Sequence, residues 1–565
     1  MKSVFNCKGI FVCPVNMEGI SFSEALGRVR SVQLGWNGAL EYTEGAMSSS
    51  LVNLYYKLVR DVSDEYVFEK TLELLTSTSN PKVWVDVIVL AFQTRATRMI
   101  GKGERKLFYD MFHAISFFFE KVVMGKETCF ELLKLIPHYG YYKDFLYLIK
   151  HEKCPMYIKT YIIDILAFDC MSDYTSLQID KKTETMIGKY MPREKSQFED
   201  IAFELAEKMF TGTKKGHKMK KYRKVISYLN TQGLKTTTEV FMCSQNYSKI
   251  DFGKVSSLCM NRNKKAFLNL PLKGNGCRSY KNDRIEASEN LKKTVKLKGS
   301  ELFPYSIVKS CINNPSIFKE EIDVLNKQWT SMREKLSNDE GEFVQVKNTL
   351  VMVDVSPSMT GLPMEVAISI GILFSELCEN EFKDVVLTFH ENSQFVDLKG
   401  LDCIHKKTNV LYKSSWGSST NIMNAMKKIL QIAKKFKVET LPDLMIVSDM
   451  QFDMAHREKT TYNVFKDLFH EEGIKTIGKP WDVPKIIFWN VSSQTTGSPL
   501  VGNEENTVLL SGFSPSIFKS IFGNLKASQT PEEVVCEILE DTNFDKIRHT
   551  LSSMCYGPFI HYNNT

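Results

Sequence analysis

The chain has 565 residues, 43% hydrophobic and 25% charged, with a formal net charge of +7. That length exceeds one hydrophobic core and predicts two to four domains of ordinary globular composition, while the small charge excess does not by itself identify a nucleic-acid binder. Apolar runs fall short of a membrane span, Lys8 and Pro14 interrupt the start, and thirteen cysteines form no Cys-x-x-Cys pair, which argues against a transmembrane helix, signal peptide, zinc ribbon or disulfide framework and predicts a reducing, cytoplasmic setting.

Residues 1–19 read as an N-terminal extension. Beyond it, residues 51–60, 67–75, 83–99, 104–123, 131–136, 142–149 and 157–168 show apolar residues near helical spacing, punctuated by Pro, Gly, Ser or Asn. Roughly two helices per forty residues is HEAT-type spacing. An irregular α-helical repeat domain is therefore expected over residues 20–335, with an extended curved binding surface.

Within it lie two basic segments. Residues 211–224 carry Lys214, Lys215, Lys218, Lys220, Lys221, Arg223 and Lys224 with glycines and few apolar residues, and residues 281–299 hold Lys292, Lys293, Lys296 and Lys298. Such blocks read as nucleic-acid contacts or as solvated loops, and composition alone favours the loop. Arg98, Lys102 and Arg105 lie beside one predicted helix start, a setting that suits phosphate. Tyr139, Tyr141 and Tyr142 suit stacking on unpaired bases. Pinning of turns between repeats explains these residues equally well, and Pro192-Arg193-Glu194-Lys195 reads equally as a helix-start turn with a local ion pair.

From residue 345 to 560 the pattern changes to strands alternating with helices, which predicts βαβ units and a mostly parallel sheet. The apolar run at 349–353 breaks into Asp354-x-Ser356-x-Ser358. One carboxylate and two hydroxyls then converge at a strand end, a hard-oxygen set suited to Mg²⁺ or Mn²⁺. Two further segments belong with it: Thr420-Asn421 opens a helical pattern, and Leu444 to Asp449 is another apolar run ending in an acid. Ligands of parallel sheets sit beyond the carboxyl ends of the strands, where these three loops fall.

This second region resembles von Willebrand factor A (vWA) domains, which are doubly wound and Rossmann-like and carry a metal-ion-dependent adhesion site (MIDAS). The resemblance implies that Ser356, Ser358 and Thr420 touch the metal while Asp354 and Asp449 hold it largely through water. That family has Asp after the threonine, where this chain has Asn421. The blocks Gly101-Lys-Gly-Glu-Arg105, Ile136-Pro-His-Tyr-Gly140 with Tyr142-Lys-Asp-Phe145, Lys189 to Lys195 and Tyr222 to Leu229 are similar to the TROVE-like domain of a TROVE-plus-vWA family of plants, fungi and giant DNA viruses, related in layout to the Ro autoantigen. The resemblance implies a HEAT-like ring that binds noncoding or misfolded RNA, with candidate contacts at Arg98, Lys102, Arg105, Tyr139, Tyr142, Arg193, Lys214, Lys215, Lys218, Lys220, Lys221 and Arg223. A viral chain would act in the host cytoplasm or virion.

Phosphate-loop, His-Glu-x-x-His and Gly-x-Ser-x-Gly motifs are absent from the sequence, which argues against catalysis. The expectation is an RNA-binding ribonucleoprotein component whose metal site mediates interaction or assembly. The alternative is a protein-interaction scaffold in which the metal captures a partner carboxylate and RNA plays no part.

Overall fold

A computed structural model of the chain describes residues 31–44, 49–97, 101–121, 125–179, 182–212, 214–233, 237–272, 276–312, 314, 316–336, 346–390, 393–414, 420–457, 459–517 and 529–555. They form two compact units, each assembled from two stretches of chain. The sheet unit takes the described residues up to Val62 together with Leu302–Ile538; the helical unit takes Ser63–Glu301 and the described residues from Leu539 onward.

The sheet unit opens with a hairpin, β1 (Val32–Leu34) against β2 (Leu40–Tyr42). Its six-stranded sheet consists of β3 (Thr349–Asp354), β4 (Val385–Phe389), β5 (Gln394–Asp397), β6 (Asp443–Ser448), β7 (Ile486–Asn490) and β8 (Thr507–Ser511), in the order β5-β4-β3-β6-β7-β8. Every pair is parallel except β4 with β5. Strands β3, β7 and β8 are buried throughout, which is why they read as continuous apolar runs instead of alternating ones. The helix Leu362–Ser375 is buried from Met364 onward. A Cβ at Gly371 would stand 2.4 Å from Val353 Cγ2, so this glycine permits the helix to lie against the central strand.

From β3 the chain builds β4 and β5 on one side, then crosses to build β6 on the other. The strand order reverses at β3, and in open α/β sheets ligands usually sit beyond the carboxyl ends of the strands at such a point. The Asp354 loop therefore sits at the switch point.

The expected boundary near residue 335 moves in both directions. Trp329 Nε1 donates to Glu376 Oε2 at 3.0 Å, Arg333 pairs with the same carboxylate at 3.3 Å, and Ile404 N–H donates to Asn326 Oδ1 at 3.0 Å. The helices Pro304–Ile312 and Lys319–Glu334 thus serve the sheet unit, as do the hairpin and the helix Ser50–Lys57. Periodicity marks a helix's buried face without revealing which core receives it.

In the helical unit, helices Asp64–Thr76, Pro81–Arg95, Arg105–Glu120, Gly125–Tyr139, Lys143–Lys150 and Met156–Gln178 follow one another with short turns. An ion pair at their centre joins three of them. Arg95 Nε donates to Asp144 Oδ2 at 2.9 Å, Tyr109 Oη donates to Oδ1 at 2.7 Å, and the Tyr141 N–H caps Oδ2 at 2.8 Å. Arg95 and Asp144 are each 1% exposed. A Cβ at Gly140 would lie 2.2 Å from Asp144 Oδ2, so only glycine leaves room for the pair. The segment at 101–104 folds back on the preceding helix through Lys102 N to Gln93 O (3.1 Å) and Glu104 N to Thr94 O (2.8 Å).

The basic segment expected as a loop over 211–224 is instead largely the helix Lys215–Tyr228, and the second basic stretch includes the helix Asn282–Lys293. Buried Tyr222, Val225 and Ile226 supply an apolar face that outweighs the self-repulsion of the lysines. No helix among the described residues is long and apolar enough to cross a membrane.

Candidate metal centre

Strand β3 ends on Asp354, whose carboxylate is fully buried. Asp354 Oδ1 accepts the Ser356 N–H at 2.9 Å and Oδ2 accepts the Ser448 hydroxyl at 2.6 Å. Ser448, the last residue of β6, in turn accepts the Met450 N–H at 2.9 Å. Next to it Asp449, 3% exposed, accepts the Gln451 N–H on Oδ1 at 3.0 Å. Ser356 Oγ and Ser358 Oγ lie 3.0 Å apart, with Ser356 buried and Ser358 exposed. Ser358 also hydrogen-bonds Asp449. Thr420 is 2% exposed; its carbonyl accepts the Asp453 N–H at 3.1 Å, which joins it to the Asp449 loop.

Electrostatics support a cation. Burial, then the neighbouring Asp449 charge, pushes the Asp354 carboxyl up to about 7. Burial likewise raises Asp449, against hydrogen bonds from Gln451, Ser358 and Ser448. Two like charges removed from water oppose each other's ionisation unless a cation joins them. The donor set of two carboxylates and three hydroxyls, Asp354, Asp449, Ser356, Ser358 and Thr420, is all hard oxygen. It fits Mg²⁺ or Mn²⁺, which keep several waters and take one or two carboxylates from protein.

The structure thus brings Asp354, Ser356, Ser358 and Asp449 into one hydrogen-bonded cluster and ties Thr420 to the Asp449 loop. Residues 415–419 lie outside the described set. Asn421 spends its side chain as a helix cap, accepting the Asn424 N–H at 3.0 Å. Sequence reading missed the hairpin: Asn37 Nδ2 donates to Gln451 O at 2.7 Å and contacts Thr420 Oγ1 at 3.4 Å. The Asn-Gly step at 37–38 between Val-Gln-Leu and Leu-Glu-Tyr was its signal.

The proposed RNA contacts fare unevenly. Lys102 is fully buried and Tyr139 is 2% exposed, its ring stacked on Phe544 and its hydroxyl donating to Asn543 O at 2.9 Å, so neither reaches a base or phosphate. Both serve turn and repeat packing. Half-buried Tyr142 donates to Asp169 at 3.0 Å. Arg105, Arg193, Lys214, Lys220, Lys221 and Arg223 are exposed, Arg223 pairing with Glu194 at 2.7 Å. Lys218 is half-buried in a pair with Glu207. Arg98 and the Lys215 side chain lie outside the described residues.

The sequence matches the family described as domain of unknown function DUF7788 over residues 348–555. It is 27% identical over 453 residues to an uncharacterized protein of Acanthamoeba polyphaga mimivirus, with 74% of each chain covered.

Proposed function

We propose that the sheet unit is a vWA-type domain in which Asp354, Ser356, Ser358, Thr420 and Asp449 hold Mg²⁺ or Mn²⁺, and that this site mediates interaction or assembly by accepting an acidic group of a partner. The observation that carries this reading is the convergence of two buried carboxylates and their hydroxyl partners at the switch point of a parallel sheet. When bound, the cation supplies the positive charge those carboxylates lack. Chain residues do the rest: Ser448 and the Ser356 N–H orient Asp354, and the Gln451 N–H orients Asp449.

Ligand binding to the native state alone raises stability by linkage, about 2.7 kcal/mol at one hundred times Kd. Wild-type protein is expected to melt higher in Mn²⁺ than in chelator, and Asp354→Ala to lose that increment while remaining folded. Identical wild-type curves at high Mn²⁺ would count against the site.

For the helical unit, we propose RNA binding of TROVE-like type. Exposed Arg193, Lys214, Lys220, Lys221, Arg223 and Lys224 on or beside one helix favour it. Phosphate contacts make log affinity fall linearly with log salt. Replacing Lys220, Lys221 and Lys224 by Gln should reduce that slope by about one per contact removed. Failure of nucleic-acid-free protein to bind single-stranded or structured RNA at low salt would leave the scaffold reading in its place.

A further inference from the structure

The tip of the N-terminal hairpin reaches the metal site from more than three hundred residues away in sequence. Asn37 Nδ2 contacts Thr420 Oγ1 at 3.4 Å and donates to Gln451 O at 2.7 Å. Gln451 N–H in turn donates to Asp449 Oδ1 at 3.0 Å. One amide group therefore ties the loop that carries Thr420 to the loop that carries Asp449. The hairpin itself is firmly placed. Trp36 N–H donates to Gln451 Oε1 at 3.0 Å, and Tyr42 and Ser498 exchange backbone hydrogen bonds at 2.9 and 3.0 Å. Gly35 N–H closes on Ala39 O at 2.8 Å, and the Glu41 side chain packs against Gly35, its Oε1 2.4 Å from where a Cβ would stand.

A hydroxyl has one proton and two acceptor positions. With Asn37 N–H on one lone pair of Thr420, the second lone pair is left for a cation and the proton for a carboxylate or water. We infer that Asn37 is a positioning residue for the metal: it acts through Thr420 and the Asp449 loop, holding hydroxyl and carboxylate at the separation a small divalent cation demands. This rests on the metal reading above. It adds that the site is incomplete without the N-terminal hairpin, a segment outside the strand-end motif.

The test uses the full chain and Mn²⁺ alone, with affinity read by Mn²⁺ electron paramagnetic resonance and stability by melting in chelator. Loss of one neutral hydrogen-bonded tie is expected to raise the Mn²⁺ Kd about three- to tenfold in Asn37→Ala. Asn37→Ser, with a shorter polar group, should fall between, and Leu34→Ala, on the same hairpin and 62% exposed, should bind as wild type. The chelator melting temperature of Asn37→Ala should stay near that of wild type. Equal Kd for wild type and Asn37→Ala overturns the inference, as does a fall in chelator stability with Kd unchanged. No Mn²⁺ binding by wild type retires the metal reading itself, and this inference with it.

Discussion

His113 shows what one buried side chain does to the helical unit's acid tolerance. It is 0% exposed, its ring stacked on His151 at 4.6 Å between centroids, and burial followed by the His151 charge pushes it down to about 3, with Lys153 adding to the effect and a backbone hydrogen bond at Leu148 opposing it. Below it Asp110 meets His151 Nε2 at 2.8 Å, and Lys106 pairs with the nearby Asp64. In the unfolded chain His113 titrates near the ordinary value of about 6.5. The unfolded state therefore binds the extra proton first, so this contribution is complete above about pH 6.5 and declines as pH falls toward 3. From pH 7 to pH 5 the loss amounts to about 2 kcal/mol. The raised carboxyl of Asp110, also a burial effect, acts in the opposite direction, its contribution growing as pH falls toward the ordinary carboxylate value of about 3.8. Denaturant titrations of wild type and His113→Phe at pH 7 and pH 5 check this: the variant should lose less stability on acidification, and parallel losses would contradict it.

Helices in this chain are joined by residues that look, in sequence, like contacts for a ligand. Asp144, Tyr141 and Gly140 occupy or adjoin the 136–145 block that is similar to the TROVE-like domain, yet with Tyr109 they serve the buried Arg95–Asp144 pair inside the unit. Breaking a buried pair leaves an uncompensated charge and costs about 3–5 kcal/mol, whereas replacing both partners by apolar groups of similar volume is far milder. Asp144→Ala should fall in that range by urea denaturation, and Arg95→Met with Asp144→Leu should recover most of it; equal destabilisation of single and double variants would place the effect in packing alone. Element positions were legible: the run ending at Asp354 is β3, that ending at Asp449 is β6 plus one residue, and the helix predicted at 142–149 spans Lys143–Lys150. Four of the five candidate metal residues could be placed together because each stands at a strand end of a parallel sheet, a local signal. What sequence could not display was long-range choice. A tyrosine or lysine beside a turn has the same local pattern whether it faces solvent or a neighbouring helix, and Lys102 and Tyr139 went inward.

At the scale of the whole chain, both units are discontinuous. The sheet unit needs the helix Ser50–Lys57, where Val52, Leu54, Tyr55 and Tyr56 are each 1% exposed or less and Ser511 Oγ donates to Tyr55 O at 2.7 Å. Burial of a large apolar side chain is worth about 1.5–3 kcal/mol, so loss of four rivals the 5–15 kcal/mol total stability of a typical domain. A fragment of residues 302–538 should accordingly lack a cooperative melting transition, and co-expression with residues 31–62 should restore one. A cooperative transition in the lone fragment would show the N-terminal segment to be dispensable.

The hairpin's pairing also sets a timetable. Glu41 accepts from Thr496, a residue 455 positions further along the chain. During synthesis the hairpin emerges well before its partners at Asp453, Thr460 and Ser498, with the helical stretch Ser63–Glu301 translated in between. At about 5–20 residues per second that interval is tens of seconds. The helical unit meets the mirror situation, since Tyr139 waits for Phe544. Each unit keeps an apolar seam open until the other has largely been made, so the nascent chain must be protected from aggregation over that window.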